Sequence, residues 1–216
     1  MGSKKESTFI NMVIALFIVT GIASTTLGFV YEFTKEPIAL AKLNKKLDAI
    51  KAVVPTFDNN PDSVKFEIPV EGGDPVMAYP AKLGDKLVGT AIESYTMKGF
   101  SGLIKIMVGL KPDGTINNIS VLEHKETPGL GTHMKDDWFS GQFIDKNPAS
   151  FKVKVKKDGG DVDAITAATI SSRAYCDALT RAYNAFMNQP KKEEMLLDTT
   201  PATDSTIVAS TEGGVK

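Results

Sequence analysis

Cysteine is almost missing from this chain, with Cys176 the only one. A single thiol excludes an intrachain disulfide framework and a multi-cysteine zinc or iron–sulfur site. Histidine is nearly as scarce. His124 and His133 lie nine residues apart, off any common helix face, which disfavours a metal site built on them. Neither sign of charge is in excess, since 25 Lys and Arg against 26 Asp and Glu give a formal net charge of −1. That balance offers no concentrated basic face, so nucleic acid is not an expected partner. Three catalytic signatures are missing as well: the chain has no G-x-S-x-G nucleophile elbow, no P-loop and no dinucleotide fingerprint.

What the chain does have is apolar content, 42% of its 216 residues, enough for a packed core. It is unevenly spread. From Ser7 to Tyr31 no residue is charged, and Phe9–Val30 reads as one apolar run. A helix of about 20 such residues spans a hydrocarbon core of about 30 Å. Lys4 and Lys5 precede the run, while Glu32, Lys35 and Glu36 follow it. The basic excess on the N-terminal side predicts a cytoplasmic N-terminus and a translocated remainder. A cleaved signal peptide, cut after Gly21-Ile22-Ala23, is the competing reading. The apolar run continues past that site to Val30, which favours a retained anchor over residues 9–31 that contacts membrane lipid.

Beyond the anchor, residues 32–75 read as an amphipathic helix and a connecting loop. Pro37 suits a helix's first turn, and Leu40, Leu43, Leu47, Ile50 and Val54 then step by threes and fours up to Pro55. A solvated helix packing on the domain, or continuing the anchor as a stalk, is preferred to a lipid-binding role. A short strand is expected around Val64–Ile68. Met77–Lys82 and Lys86–Tyr95 flank a hairpin pair, Gly84-Asp85. Ile104, Ile106, Val108 and Leu110 alternate with Lys105, Met107, Gly109 and Lys111, predicting one buried face. The Pro112-Asp113-Gly114 turn leads into a strand over Thr115–Leu122, and Phe151, Val153 and Val155 alternate with lysines as a further strand. A last helix from Ser171-Ser172 carries Tyr175, Leu179, Ala182, Tyr183 and Phe186, and stops before Pro190. The expected architecture is α+β: a single N-terminal transmembrane helix, then a domain over 76–189 with a mostly antiparallel sheet and flanking helices. Residues 1–8 form a cytoplasmic N-terminus, and 190–216 read as a disordered polar tail.

Two segments have the composition of loops that approach a ligand. The first is His124–Thr132, whose Pro128, Gly129 and Gly131 impose an unusual backbone course and allow close approach to a flat or phosphorylated group. A tight structural turn explains the same spacing equally well. The second is Asp163–Ser172, where small residues surround Thr169 and Ser171 or Ser172 can cap the final helix. A helix N-terminus stabilises a phosphate, although a ligand-free cap explains the residues too. Glu123 and Glu126 read as loop carboxylates rather than an acid/base pair. Asp136-Asp137 can cap the segment holding Trp138, and Cys176 is expected to be buried rather than reactive.

Taken in order, the anchor, Tyr31-Glu32-Phe33-Thr34, Gly99-Phe100-Ser101-Gly102, Glu126-Thr127-Pro128-Gly129-Leu130-Gly131 and Asp163…Thr166-Ala167-Ala168-Thr169-Ile170-Ser171 form a specific set. That set resembles the FMN-binding domain family of the G subunit of the Rnf electron-transport complex. The C subunit of the sodium-translocating NADH:quinone reductase is homologous and is the alternative. The resemblance covers Phe9 to about Phe186. It implies FMN joined through its phosphate to the hydroxyl of Thr169, the acceptor threonine of an (S/T)-G-A-T-x-(S/T) motif that ends here on Ser171. It further implies a flavin transferase that uses FAD and recognises Asp163, Thr166 and Ala168. The ring is expected against Thr127, Gly129, Leu130 and Gly131, with Gly102 and the Phe100–Leu103 stretch nearby. Ala167 departs from the pattern, because it stands where the family usually has glycine, or sometimes serine. Alanine keeps the small volume but restricts positive φ.

The function implied is a membrane-anchored flavoprotein that relays electrons between the other subunits of an ion-translocating redox complex, not an enzyme acting alone. Its expected place is the bacterial cytoplasmic membrane, with the flavin domain outside the cytoplasm. A cofactor-free anchored scaffold or ligand-binding module is the rival from another class. A soluble flavin reductase is disfavoured by the anchor and by the missing nicotinamide pattern.

Overall fold

The computed structural model describes residues 8–70 and 72–188. The tail expected at 190–216, Lys4 and Lys5 lie outside the described residues. The chain begins with helix α1, Phe9–Val53. Five strands follow: β1 Phe66–Ile68, β2 Val76–Leu83, β3 Lys86–Gly99, β4 Gly102–Leu110 and β5 Ile116–His124. After β5 come a 3-10 turn at Gly131–Lys135, the short helix α2 (Asp137–Ser140) and finally α3, Thr169–Met187. The strands form one antiparallel meander in the order β1-β2-β3-β4-β5.

The two expected N-terminal helices are one helix of 45 residues with Pro37 inside it. Proline takes away one N–H and crowds the preceding turn, an interior cost of about 3 kcal/mol. Strong helix formers on both sides, Lys35-Glu36 and Ala39 through Leu43, carry the helix across it. The first part is long and apolar enough to cross a membrane and has nothing buried against the domain. Three of its hydroxyls, on Thr20, Ser24 and Thr25, are satisfied internally by donating to carbonyls four residues back.

Only the last turns of α1 meet the domain. Leu40 and Leu43 are exposed, whereas Ala49, Ile50, Val53 and Val54 are buried against Tyr79, Ala81, Ala91 and Met107 of the sheet. Lys46 pairs with Glu93 at 2.9 Å, and Glu93 accepts a hydrogen bond from the Tyr79 hydroxyl at 3.1 Å. Burial, reinforced by Glu93, holds the Tyr79 phenol well above its ordinary range. Met107 and Gly109 are therefore buried too, and β4 is covered on both faces instead of one. The opposite face packs Ile104, Ile106, Val108 and Leu110 against Tyr175, Ala178, Leu179 and Ala182 of α3.

The strand expected over Phe151–Val155 does not form a ladder. Its alternation is real, with Val153 and Val155 buried and Lys152, Lys154 and Lys156 exposed. Its peptide groups instead bond a tight local turn: Lys152 N–H donates to Asp161, and Lys156 N–H to the Val162 carbonyl. One isolated parallel bridge, Val155 to Val162, is all the strand pairing found there among the described residues. The fifth strand is β1, the short segment expected near Val64–Ile68.

Gly109 is where the helix meets the sheet most closely. A Cβ built there would lie 1.8 Å from the Val53 carbonyl oxygen. Gly109→Ala is expected to cost roughly 2–3 kcal/mol by forcing α1 off the sheet. Gly141→Ala, whose Cβ would meet nothing within 4 Å, is expected to be near neutral. Thermal melts of the two variants against the unmodified chain check both outcomes.

Candidate functional site

Three segments converge at one end of the sheet. The β3–β4 hairpin turns through Phe100-Ser101, with Gly99 paired to Gly102 and Gly102 at φ +93°. The loop after β5 brings in Glu126–Gly131. The third segment is Asp163–Ala168, which enters α3. Between them lies a cleft of about 280 Å³. Phe100 stands on one side, Glu126, Thr127, Leu130 and Gly131 on another, and Ala167–Ser171 form the third.

Glu126 holds the three segments together. It is 4% exposed, and its carboxylate accepts from the Ser101 N–H at 3.0 Å and from the Ser171 hydroxyl at 2.5 Å. The hairpin, the post-strand loop and the first turn of α3 thus share one buried anion. A buried carboxylate is tolerated when several donors satisfy it. The surrounding space fits only glycine: a Cβ on Gly99 or on Gly131 would come within 2.7 Å of a Glu126 carboxylate oxygen. The Glu126 N–H donates to Nδ1 of His124 at 3.2 Å. Burial pushes the His124 imidazole below its ordinary range and Lys135 adds to this, while Glu126 opposes it. Glu126 is accordingly an organising group and not a solvated loop carboxylate. No single stretch of sequence marks this role, because Gly99 and Ser171, which adjoin the carboxylate, lie far from Glu126 in the chain.

Thr169 is the first residue of α3, not a residue ahead of it. Ser171 and Ser172 fall inside the helix, so neither caps it. Ser171 donates to Glu126, and Ser172 accepts from the Ile165 N–H at 2.9 Å while donating to the Ala168 carbonyl. The N-cap position is Ala168, which has no side-chain oxygen to offer. The first turn of a 19-residue helix therefore borders the cleft without a side-chain cap, and it includes a half-buried Thr169 whose hydroxyl has no hydrogen bond among the described residues.

Of the other residues singled out from the sequence, Thr127, Leu130, Gly131, Ala168 and Ser171 line this cleft with Thr169. Gly129 does not line it but makes the loop's turn, at φ +75°, with its N–H donating to the Thr132 hydroxyl at 2.9 Å. Gly102 sits in the hairpin turn behind Phe100. Asp163 and Thr166 lie outside the cleft on the exposed loop, where Asp163 pairs with Lys156 at 2.7 Å. Phe100, from the stretch expected near the ring, joins the lining, as do Ala167 and Ile170, which the sequence did not single out as ligands; Phe100 and Ile170 are 68% and 47% exposed. Asp136 holds the N-cap position of α2, as expected, but its side chain makes no cap bond. Its carboxylate instead binds His133 Nδ1 at 2.7 Å and accepts from the Trp138 indole at 3.3 Å. Cys176 is buried, and that burial pushes its thiol up to about 12.

Ala167 adopts φ +60°, a left-handed conformation that glycine takes freely. An L-residue there costs about 1–2 kcal/mol, offset in a glycine variant by roughly 0.4–1 kcal/mol of extra chain entropy. Ala167→Gly is therefore expected to raise stability by about 0.5–1 kcal/mol, opposite in sign to an ordinary Ala→Gly change. A melting temperature at or below that of the unmodified chain would contradict the strain.

Residues 99–184 match the family described as FMN-binding domain. The G subunit of the ion-translocating oxidoreductase complex of Aliivibrio fischeri (strain MJ11) is 35% identical over 202 residues, covering 86% of this chain and 92% of that protein. The protein of the same name from Methanosarcina acetivorans is 31% identical over 184 residues, covering 84% and 95%. The crystal structure of Shewanella oneidensis NqrC aligns with a TM-score of 0.44 at 21% identity, over 64% of this chain and 69% of that one. With its membrane-length helix, its cleft and these relatives along most of its length, the chain belongs to the family of G subunits of ion-translocating oxidoreductase complexes.

Proposed function

We propose that this protein is the membrane-anchored flavoprotein subunit of an ion-translocating oxidoreductase complex, carrying FMN as a phosphoester on Thr169 and relaying electrons between neighbouring subunits. The observation that carries the reading is the Thr169 hydroxyl, lining the cleft at the uncapped start of α3. A phosphate attached there meets free helix amides and the positive end of the helix dipole. A cleft of about 280 Å³ lies at the small end of the roughly 300–1,000 Å³ typical of ligand pockets. It suits a ligand held by its phosphate end with the rest left accessible.

FMN supplies one- and two-electron redox chemistry at its ring. The protein's own part is placement. Thr169 is the point of attachment, the α3 amides hold the phosphate, and Glu126 fixes the three walls relative to one another. Phe100, Leu130 and Ile170 give the cleft an apolar, exposed rim on which a flat ring and a partner surface can both rest. During maturation a flavin transferase using FAD meets the exposed Asp163 and Thr166, which lie outside the cleft, next to Ala168, which lines it.

The course of α1 supports a partner within the membrane. Val53 sits on Gly109, while Lys46 pairs with Glu93, the strand neighbour of Met107. Lys45 donates to the Leu122 carbonyl. Going toward its N-terminus, α1 thus runs along β4 toward Gly102, the end of the sheet where the cleft lies. The 15 residues from Tyr31 to Lys45 span roughly 22 Å as helix. That short stalk sets the flavin end of the domain toward the bilayer on the extracytoplasmic side.

Made together with its transferase, denatured and run on a gel, the full chain is expected to show flavin fluorescence. Thr169→Ala should abolish the fluorescence, whereas Thr166→Ala leaves the acceptor hydroxyl in place. No fluorescence from the unmodified chain, or undiminished fluorescence from Thr169→Ala, would overturn the assignment.

A further inference from the structure

The β3–β4 hairpin ends in apolar side chains that the domain leaves exposed. Met97 is 66% exposed and Phe100 68%, and Leu103 is half-buried. Met97 and Leu103 alternate onto the face of the sheet that α1 crosses, where they line an open groove of about 570 Å³ with Met77, Glu93 and Lys105. Farther out along α1, Leu43 and Leu40 are exposed too, so the helix does not seal the hairpin. The course of α1 sets the level of that hairpin. Val53 lies on Gly109, and Lys45 donates to the Leu122 carbonyl, opposite the Lys105–Ile106 step of β4. Helix and strand each advance about 12 Å between these points, so they run nearly side by side. Continued in that direction, β3 covers roughly 23 Å from Glu93 to the turn at Phe100. From Lys46, the partner of Glu93, α1 covers roughly 22 Å back to Tyr31. The hairpin tip therefore comes level with Tyr31, which directly follows the apolar run Phe9–Val30. Tyrosine at such a position marks the membrane–water interface.

We propose that the tip of the β3–β4 hairpin rests on the lipid surface beside α1, with Met97 and Leu103 in the zone between headgroups and acyl chains. The proposal rests on α1 spanning the membrane and is independent of whether flavin is attached at Thr169. Two observations favour lipid over a protein as the occupant. The anchor is part of the same chain, so lipid lies at the level of the hairpin whatever else is bound. The exposed apolar group is small, a few side chains at one turn, which suits shallow insertion and falls well short of the roughly 20–30 residues a side of a stable protein interface. The contact gives the domain a second point of attachment. A single helix leaves a domain free to turn about the helix axis. A hairpin seated in the interface fixes which end of the sheet faces the bilayer, and with it the height of the cleft that Phe100 borders.

Cys176 is buried, so a thiol introduced on the surface of the full chain takes a fluorescent maleimide selectively. Labels on Phe29→Cys, Met97→Cys and Leu83→Cys report on the anchor, the hairpin tip and the opposite end of the sheet, roughly 40 Å from the tip. The labelled chains are reconstituted in phosphatidylcholine nanodiscs that include lipid with a quenching nitroxide near the top of its acyl chain. The Phe29 and Met97 labels should each lose fluorescence about twofold or more, while the Leu83 label stays unchanged. Quenching at Phe29 with none at Met97 would overturn the lipid contact, leave the patch to a protein partner and keep the anchor. Equal quenching at Met97 and Leu83 would mean a domain with no fixed seat on the bilayer, and would overturn the proposal as well. No quenching at Phe29 would overturn the membrane reading of α1, and the proposal with it.

Discussion

The buried carboxylate of Glu126 is the constraint on which the cleft depends. Its two oxygens are divided between the hairpin amide of Ser101 and the hydroxyl of Ser171. Parts of the chain far apart in sequence therefore meet at one anion, and their relative positions follow from hydrogen-bond lengths rather than from loose loop packing. The glycines around it follow from the same geometry. Gly99 and Gly131 have no room for a Cβ: at Gly99 the Gly102 carbonyl and the Glu126 carboxylate occupy that space, and at Gly131 the Glu126 side chain and the Ser171 hydroxyl do. Glycine in the two motifs is thus a packing requirement here, and only Gly102 and Gly129 use the residue for its positive φ. An anion already satisfied by Ser171 also leaves the amides at the start of α3 available to a phosphate.

The sheet keeps this arrangement rigid while α1 ties it to a membrane. Its two faces are sealed differently. α3 covers one with a long amphipathic stripe, whereas α1 covers the other with only its last turns, through Gly109, Tyr79 and the Lys46–Glu93 pair. The rest of α1 is exposed along its length, and the strong helix formers beside Pro37, Lys35-Glu36 and Ala39–Leu43, carry it across that residue. Flavin placement, membrane attachment and domain stability therefore meet in one antiparallel meander.

Much of this was legible in the sequence because it is encoded locally. The apolar run of Phe9–Val30, the alternation along β4 and the turn residues at Gly84 and Gly114 each mark their element without help from the rest of the chain. The errors came where distant partners decide. Phe151–Val155 has a strand's alternation, yet its peptide groups find closer partners across the turn at Asp161-Val162. Pro37 reads as a helix start and is a helix interior. Ser171 and Ser172 have the composition of caps, but a carboxylate 45 residues away claims one of them and the loop at Ile165 and Ala168 claims the other. Glu126 could not be recognised from its neighbours, because its role exists only after the hairpin and α3 have closed around it. Ala167 shows the reverse: its departure from glycine was visible in the motif, and the left-handed backbone is where the residue's consequence lies.

The central claim is chemical, a single phosphoester at a single hydroxyl. Tryptic digestion of the full chain made with its transferase releases a peptide ending at Arg173 that holds Thr166, Thr169, Ser171 and Ser172 together. Fragment mass spectrometry of that peptide should place one FMN, less one water, on Thr169 and leave the other three hydroxyls unmodified. An unmodified peptide, or the flavin mass on any residue but Thr169, would contradict the claim.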